Sequence, residues 1–273
     1  MTGFALSPPV FAILSALIEE RTGIHYGSED RALLAEKLEP RVAERGFDSL
    51  LDYYYFLRYD AAADAEFSEL VEALVVNETY FFRETAALET IVSTFLPELV
   101  RAGVRPRVWC AACATGEEPF TLAMLLDAAG LLDSVTLVAS DISTRALRHA
   151  RERRYFRRSL RALPRDVVGR WLVPVENGMC VERRIADAVE FRRVNLTDQA
   201  SVAELGQFDV VLCRNVLIYF SDATVETVVA TLARALRPNG RLIVGASESL
   251  LRFETGLACE ERSGAFFYRK GET

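Results

Sequence analysis

The residues of this chain that could do chemistry gather in two stretches, Asn77-Glu78-Thr79-Tyr80-Phe81-Phe82-Arg83-Glu84 and Trp109-Cys110-Ala111-Ala112-Cys113-Ala114-Thr115-Gly116-Glu117-Glu118-Pro119. The second follows an apolar β-like run and opens a helix, the place where α/β proteins bind nucleotide-like ligands at a strand's carboxyl end. A dinucleotide turn uses three glycines so that backbone amides and a helix N-terminus can approach pyrophosphate. This turn has one, Gly116. It also sets Glu117 and Glu118 at the helix start, where two carboxylates suit the helix dipole but repel phosphate. A cationic or neutral nucleoside ligand fits better than a nucleotide. Asp141, about twenty-five residues beyond Gly116 at the end of a second apolar run, is placed to accept hydrogen bonds from ribose hydroxyls. Nucleoside recognition without phosphate recognition points to S-adenosylmethionine. The alternative is that Glu117 and Asp141 only cap helices, as acids at such positions commonly do.

Trp109-Cys110-Ala111-Ala112-Cys113 carries a competing reading, because Trp-Cys-x-x-Cys in an α/β protein is also the pattern of a thioredoxin-type redox motif. No second cysteine pair offers metal ligands, and His25 and His149 are the only imidazoles. The Glu-Glu-Pro that follows has no redox role. The five cysteines, at 110, 113, 180, 213 and 259, are odd in number and irregularly spaced, which fits a reduced cytosolic protein.

These residues need a scaffold. From Ser7 to Glu84 the signal is helical: Ser7 reads as an N-cap, Pro8 and Pro9 sit near the first turn, and Phe11, Leu14, Leu17 and Ile18 recur at three- and four-residue spacing until Gly23 and Gly27. A second helix from about Asp30 puts Leu34, Leu38 and Val42 on one face and Lys37, Arg41 and Arg45 on a neighbouring stripe. Tyr53 to Phe56 and then Phe67, Leu70 and Leu74 continue the helical region. A helix around Leu88 to Val100 precedes alternating strands and helices: a strand at Arg107–Ala111, a helix from Glu117 to Ala129, and a strand at Val135–Ser140 ending at Asp141. Further strands are expected at Val189–Val194, Phe208–Cys213 and, after a Pro238-Asn239-Gly240 turn, Arg241–Gly245, with Ala265–Tyr268 as an edge strand. The alternation implies a parallel sheet covered by helices on both faces. The Glu176-Asn177-Gly178 turn between Trp171 and Arg184 marks a hairpin outside that sheet.

Bulk properties narrow the class. A chain of 273 residues, 51% of them hydrophobic, can bury a full α/β core and carry a second, smaller unit. The net charge of −7 argues against general nucleic-acid binding. No apolar run approaches a membrane span and the N-terminal pattern is not that of a signal peptide, so a soluble, cytoplasmic protein without membrane insertion is expected.

Taken together, Asn77 to Glu84, Ala114 to Pro119, Ser140-Asp141-Ile142, Val194-Asn195-Leu196, Phe208 to Phe220 and Gly245 to Leu250 resemble, in order and through most of the chain, the CheR-type chemoreceptor glutamate methyltransferases. The resemblance implies a class I S-adenosylmethionine-dependent methyltransferase: a Rossmann-like, doubly wound mixed sheet with a small all-helical N-terminal domain (1–76), an interdomain cofactor-contacting segment (77–90) and a catalytic domain (91–273) bearing a short β-hairpin subdomain at about 171–186. It implies methyl transfer from S-adenosyl-L-methionine to receptor glutamate carboxylates, leaving S-adenosyl-L-homocysteine. By position, Asn77, Thr79, Arg83, Glu117, Asp141, Asn195, Leu196, Arg214 and Asn215 would hold the cofactor, and Arg83 and Tyr219 would lie nearest the transferred methyl. Lys37, Arg41 and Arg45 would face the helical cytoplasmic domain of the receptor; Arg151, Arg153, Arg154, Arg157, Arg158 and Arg161 form a second basic cluster that could do the same. Solvated helix faces are the plainer account of both. The chain departs from the family pattern at Ala112, Ala246 and Asn239, where glycine, histidine and glycine are usual. Its short hairpin lacks the glycine-rich loop of members that tether to a receptor's C-terminal peptide, which argues against tethering.

The chemistry so implied is undemanding of acid–base groups. A glutamate side chain, with a pKa of about 4.3 in water, is already an ionised nucleophile, so the scarcity of histidine is no obstacle. Positioning in a partly dry pocket is what such a reaction needs. Arg83 or Tyr219 could orient the carboxylate. A tight ion pair from Arg83 would oppose the loss of charge on methylation, so binding the cofactor's own carboxylate suits it better. Two other readings stay open: the same fold acting on another protein or a small acid, and a non-catalytic module that senses S-adenosylmethionine.

Overall fold

The computed structural model describes residues 6–164 and 167–272. The chain divides into two compact units, one made of the residues up to Val76 together with Tyr219–Val225, the other of Asn77–Ile218 and Glu226 onward.

The first unit is built on four helices, α1 (Pro8–Thr22), α2 (Arg31–Glu44), α3 (Leu50–Tyr59) and α4 (Ala63–Leu74). Local chemistry sets the ends of α1 and α3. Prolines occupy the first turn of α1, where their missing amide hydrogens cost nothing, and Gly23 ends it in the left-handed conformation, its amide bonded to Glu19 O. Ser49 caps α3 by accepting from the Asp52 amide. Leu14, Ile18, Leu34, Leu38, Val42, Tyr53, Leu57 and Leu70 are all essentially inaccessible to solvent. The three- and four-residue spacing of the sequence is therefore the spacing of a packed core. At about 1.5–3 kcal/mol for each large apolar side chain, that burial is what holds the four short helices.

The second unit opens with α5 (Ala86–Thr90), a π-helical turn at Ile91–Phe95 and α6 (Leu96–Arg101), one helical run with a widened turn inside it. Then follow β1 (Arg107–Ala111), α7 (Glu117–Ala128), β2 (Thr136–Asp141), α8 (Thr144–Glu152), β3 (Arg154–Tyr155), β4 (Leu172–Val175), β5 (Gly178–Val181), α9 (Arg183–Asp187), β6 (Val189–Arg193), α10 (Gln199–Glu204), β7 (Phe208–Cys213), α11 (Asp222–Ala235), β8 (Leu236–Val244), β9 (Ala258–Arg262) and β10 (Ala265–Arg269). The main sheet runs β6-β2-β1-β7-β8-β10-β9. The first five strands are mutually parallel, while β10 is antiparallel to both its neighbours. That order, with one reversed strand near an edge, is the mixed doubly wound sheet that the resemblance implies. No described helix is long and apolar enough to cross a membrane.

Two strand expectations need correcting. Ala265–Tyr268 is not an edge: β10 is flanked by β8 and by β9, whose polar sequence Ala-Cys-Glu-Glu-Arg hid it. Charged side chains are how an outer strand avoids pairing with other molecules. The Pro238-Asn239-Gly240 turn does not precede a strand either. It lies inside β8 as an irregularity, where the register against β7 shifts and Asn239 takes φ 60°. Asparagine tolerates that region better than most residues, which is why it can stand for glycine there. The hairpin of β4 and β5 does sit outside the main sheet, with β3 pairing on the other side of β5.

Candidate active site

In the central sheet the strand order reverses at β1, whose neighbours are β2 on one side and β7 on the other. A crevice opens at the carboxyl ends of the strands at such a point. The segments leaving those ends carry the expected residues: Ala112 to Glu118 after β1, Asp141 ending β2, Asn195 and Leu196 after β6, Arg214 and Asn215 after β7, and Gly245 to Glu248 after β8.

The turn after β1 is built to hold a fixed, acid-lined shape. Ala112 and Ala114 sit at φ 54° and 46°, and Gly116 at 93°. A Cβ on Gly116 would come within 2.8 Å of Ala150 Cβ and 3.2 Å of the Tyr155 hydroxyl, so the single glycine of this turn serves close packing as well as backbone freedom. The Tyr155 hydroxyl donates to Thr115 O at 2.6 Å, and the Ala114 amide donates to Asp141 Oδ2 at 2.8 Å. The other oxygen of Asp141 accepts from the Ser143 amide at 2.9 Å. Asp141 thus ties the end of β2 to the turn after β1. Glu117 is buried and accepts from Thr115 Oγ1 at 2.7 Å. Cys110 and Cys113 are both buried, and burial pushes their thiols well above the usual range. Reactive thiols have the opposite environment, so the Trp-Cys-x-x-Cys pattern carries no redox centre.

Arg214 proves to be a structural hub. Its Nη1 donates to Glu118 Oε2 at 2.8 Å, and its Nη2 lies 3.1 Å from Glu84 Oε2 and from the carbonyl oxygens of Arg83 and Glu84. With 3% of its side chain exposed, the guanidinium faces protein in every direction. Burial raises the Glu118 carboxyl above the usual carboxylate range despite Arg214. Burial acts the same way on Glu84, but there Arg214 outweighs it and holds the carboxyl low. The two acids thus share one cation from unlike surroundings. Arg214 also fixes the backbone at Arg83, which joins the 77–84 segment to the turn after β1.

The Asn77 to Glu84 segment is held again from its other end. The Glu78 carboxylate receives Arg161 Nη2 at 2.7 Å and pairs with Arg158, while Arg83 Nη1 donates to Glu78 O at 3.1 Å. Arg161 lies 3.8 Å from the centroid of the Tyr80 ring and Arg83 lies 5.8 Å from it, so both guanidinium groups engage one aromatic ring. The Phe81 amide donates to Ser159 O. Much of the second basic cluster is therefore invested inside this unit: Arg158 and Arg161 on Glu78, Arg153 on Val181 O and Arg151 on Phe191 O. Thr79 is half-buried within the segment and Asn77 is exposed at its start.

Sequence reasoning gave no role to Glu248. Buried beneath the loop after β7, its Oε2 accepts from the amides of Asn215 at 2.6 Å and Gly245 at 2.7 Å, and its Oε1 from Ile218 at 3.2 Å. A Cβ on Gly245 would stand 2.6 Å from Glu248 Oε2, so glycine is needed for the approach. Asn215 takes φ 59° in this loop. Asn195 Oδ1 accepts from the amide and hydroxyl of Thr197, and Leu196 is buried. The Gly-x-x-Glu spacing was the available signal, but three backbone amides converging on one carboxylate leave no trace in a local pattern.

The remaining candidates lie in the helical unit. Tyr219 belongs to the Tyr219–Val225 segment, and its carbonyl accepts from the His25 amide at 2.8 Å. Lys37 Nζ donates to Leu74 O at 2.5 Å. Arg41 grips Glu66 with Nε at 3.0 Å and Nη2 at 2.6 Å, and Tyr53 donates to the same carboxylate at 2.7 Å. Arg45 Nε lies 3.3 Å from Glu66 with its side chain 40% exposed. The basic stripe is thus partly structural: all three of its cations neutralise or cap groups of their own unit, Arg45 from the most exposed position.

Residues 77–264 match the family described as CheR methyltransferase, SAM binding domain, and residues 9–75 match its all-alpha domain. The chain is 34% identical over 242 residues to chemotaxis protein methyltransferase 2 of Vibrio cholerae, covering 86% of this chain and 84% of that protein. It is 33% identical over 269 residues to chemotaxis protein methyltransferase 1 of Pseudomonas aeruginosa, covering 95% and 97%. It is 36% identical over 262 residues to the chemotaxis protein methyltransferase of Vibrio parahaemolyticus, covering 92% of each.

Proposed function

Because this chain belongs to the CheR methyltransferase family, we propose that it methylates glutamate side chains on the helical cytoplasmic domain of chemoreceptors, with S-adenosylmethionine as donor and S-adenosylhomocysteine as product. One observation carries the reading: at the carboxyl edge of the sheet an acid-lined, glycine-poor turn lies against Asp141, whose carboxylate takes the Ala114 amide. Such a donor set suits a cationic nucleoside and disfavours a pyrophosphate. The bound cofactor supplies an electrophilic methyl on a sulfonium.

Every other requirement falls to the chain's own residues. Asp141 is the acceptor for ribose hydroxyls, with Glu117, Asn195, Leu196 and Asn215 completing the pocket. Asn77, Thr79 and Arg83 approach from the 77–84 segment, and Arg83, its guanidinium anchored on Glu78 O, takes the carboxylate of the methionine part. Bound there, S-adenosylmethionine would supply its methyl to a glutamate carboxylate oxygen, the carbon–sulfur electron pair being left on sulfur. No proton moves, so no general base is required. Tyr219 orients the attacking carboxylate by a hydrogen bond, a contact that survives the fall in charge better than an ion pair would.

The test is incubation with methyl-labelled cofactor and chemoreceptor signalling-domain fragments, followed by release of label in base. Base-labile label on the receptor supports the reading. Label on other proteins or on small acids would move the acceptor elsewhere, and cofactor binding without transfer would leave a sensing module. Peptide tethering is not part of the proposal, since β4 and β5 are joined only by Glu176 and Asn177.

A further inference from the structure

The seven residues Tyr219–Val225 cluster with the N-terminal helices, although they follow directly on the loop after β7. What grips them is local and polar. Ile24 and Phe220 form an antiparallel bridge, and the His25 amide donates to Tyr219 O at 2.8 Å. Glu19, on the last turn of α1, takes the Ser221 hydroxyl on Oε1 at 2.5 Å and the Thr224 hydroxyl at 3.3 Å, while its Oε2 meets His25 Nδ1 at 2.8 Å. Ser221 in turn caps α11, accepting from the Thr224 amide at 3.3 Å. A serine hydroxyl has one proton and two lone pairs, so giving the proton to Glu19 leaves a lone pair aimed at that amide. Burial raises the Glu19 carboxyl, but its bonds to His25, Ser221 and Thr224 outweigh this and hold it below the usual range.

We infer that Glu19 and His25 are positioning residues for methyl transfer: they hold the Tyr219 backbone from one side and its following helix cap from the other, so that the helical unit sets the direction of the tyrosine hydroxyl. The inference rests on the reading of Tyr219 given above. Apolar packing alone would hold the segment without needing a carboxylate. Here one partly exposed acid serves three side chains: His25, six residues along its own stretch, and Ser221 and Thr224 of the seven-residue segment.

The experiment uses the full chain, S-adenosylmethionine and a chemoreceptor signalling-domain fragment. Glu19→Ala is expected to lower kcat about 10- to 100-fold, the scale on which small misplacements act, while KM for the cofactor changes little and the melting temperature falls only modestly. Deuterium uptake should rise at the His25, Thr224 and Val225 amides and stay level in the sheet. Glu19→Gln, which keeps an acceptor for Ser221, should recover most of the loss. In the Tyr219→Phe background Glu19→Ala should add nothing, because two changes that act through one group do not multiply. Losses that multiply, or unaltered uptake in Glu19→Ala, would overturn the inference. Full turnover by Tyr219→Phe would instead sink the reading of Tyr219 on which it stands, whereas an impaired Tyr219→Phe beside a fully active Glu19→Ala would remove the anchor alone.

Discussion

At the scale of single residues, the site is governed by what individual side chains do to the backbone beside them. Ala112 occupies a left-handed conformation, φ 54°, which costs a residue with a Cβ roughly 1–2 kcal/mol. Glycine would remove that strain but lose more entropy on folding, so Ala112→Gly is expected to raise stability by about 0.5–1 kcal/mol, read as a shift in denaturant midpoint at constant slope. A glycine preference that looks like conservation of a motif is thus a conformational preference, and the alanine leaves the turn formed. Glu248 is the opposite case, a side chain with no local signature on which three amides depend. Charged hydrogen bonds contribute about 1.5–3 kcal/mol each and abandoned buried amides cost a further sum, so Glu248→Ala should destabilise the chain by about 3 kcal/mol or more. Glu248→Gln, which can offer one oxygen but not two, should fall between. Thermal unfolding of the three proteins orders them; a Glu248→Ala chain as stable as the parent would show that the loop after β7 is held by other means.

At the scale of elements, the 154–161 region acts as a strap across the 77–84 segment. β3 brings Tyr155 to the Thr115 carbonyl, and the turns after it bring Ser159, Arg158 and Arg161 to Phe81 and Glu78. Two stretches far apart in sequence, 77–84 and 114–116, are therefore held by one short connection. Glu78→Gln should loosen the strap, weakening S-adenosylmethionine binding about 3- to 10-fold by calorimetry and reducing its salt dependence, since exposed ion pairs are the part that salt screens. Arg161→Ala should do the same, and the double variant should be no worse than either; affinities indifferent to all three would assign the strap to folding alone. These elements also mark how far the sequence can be read. β1, β2 and β7 are visible because their residues are nearly all buried and apolar. The single glycine before α7 and the paired acids that open it point to a nucleoside over a nucleotide. β9 was invisible because an edge strand is polar. The Arg158 and Arg161 clamp was read as surface charge because its partner lies about eighty residues away, beyond any periodic pattern.

At the scale of the whole molecule, both units depend on carboxylates whose partners keep them ionised. Burial alone would raise Glu19, Glu78 and Glu84, yet the bonds of Glu19 to His25 and Ser221, of Glu78 to Arg161 and Arg158, and of Glu84 to Arg214 leave all three below their ordinary value of 4.5. Asp198, capping α10 through the Ser201 hydroxyl and amide, is lowered as well. With folded values below unfolded ones, the native chain binds fewer protons than the unfolded chain on the acid side, so this stability is complete above about pH 4.5 and is lost as pH falls through the folded values. Glu118, whose carboxyl is raised, runs the other way and softens the fall. Melting temperature should accordingly be level from about pH 8 to 6 and drop below 4.5, with Glu84→Gln melting lower at pH 7 but losing less on acidification. Recognition of a large acidic partner belongs to this scale too, and here the helical unit limits what mutation can ask. Reversing Arg41 would strand the buried Glu66 and Tyr53, so any loss would report unfolding. Arg45 is the more usable probe, because its side chain is 40% exposed, it meets Glu66 at 3.3 Å through Nε, and its guanidinium lies over the Phe56 ring. Arg45→Gln should raise KM for a chemoreceptor fragment about 2- to 5-fold at low salt while cofactor affinity holds, as expected for a charge at the margin of a docking surface. The difference should close as salt is added, because a screened charge has nothing left to contribute; equal KM values at every ionic strength would take the stripe out of receptor binding and leave it wholly to the packing of α2 against α4.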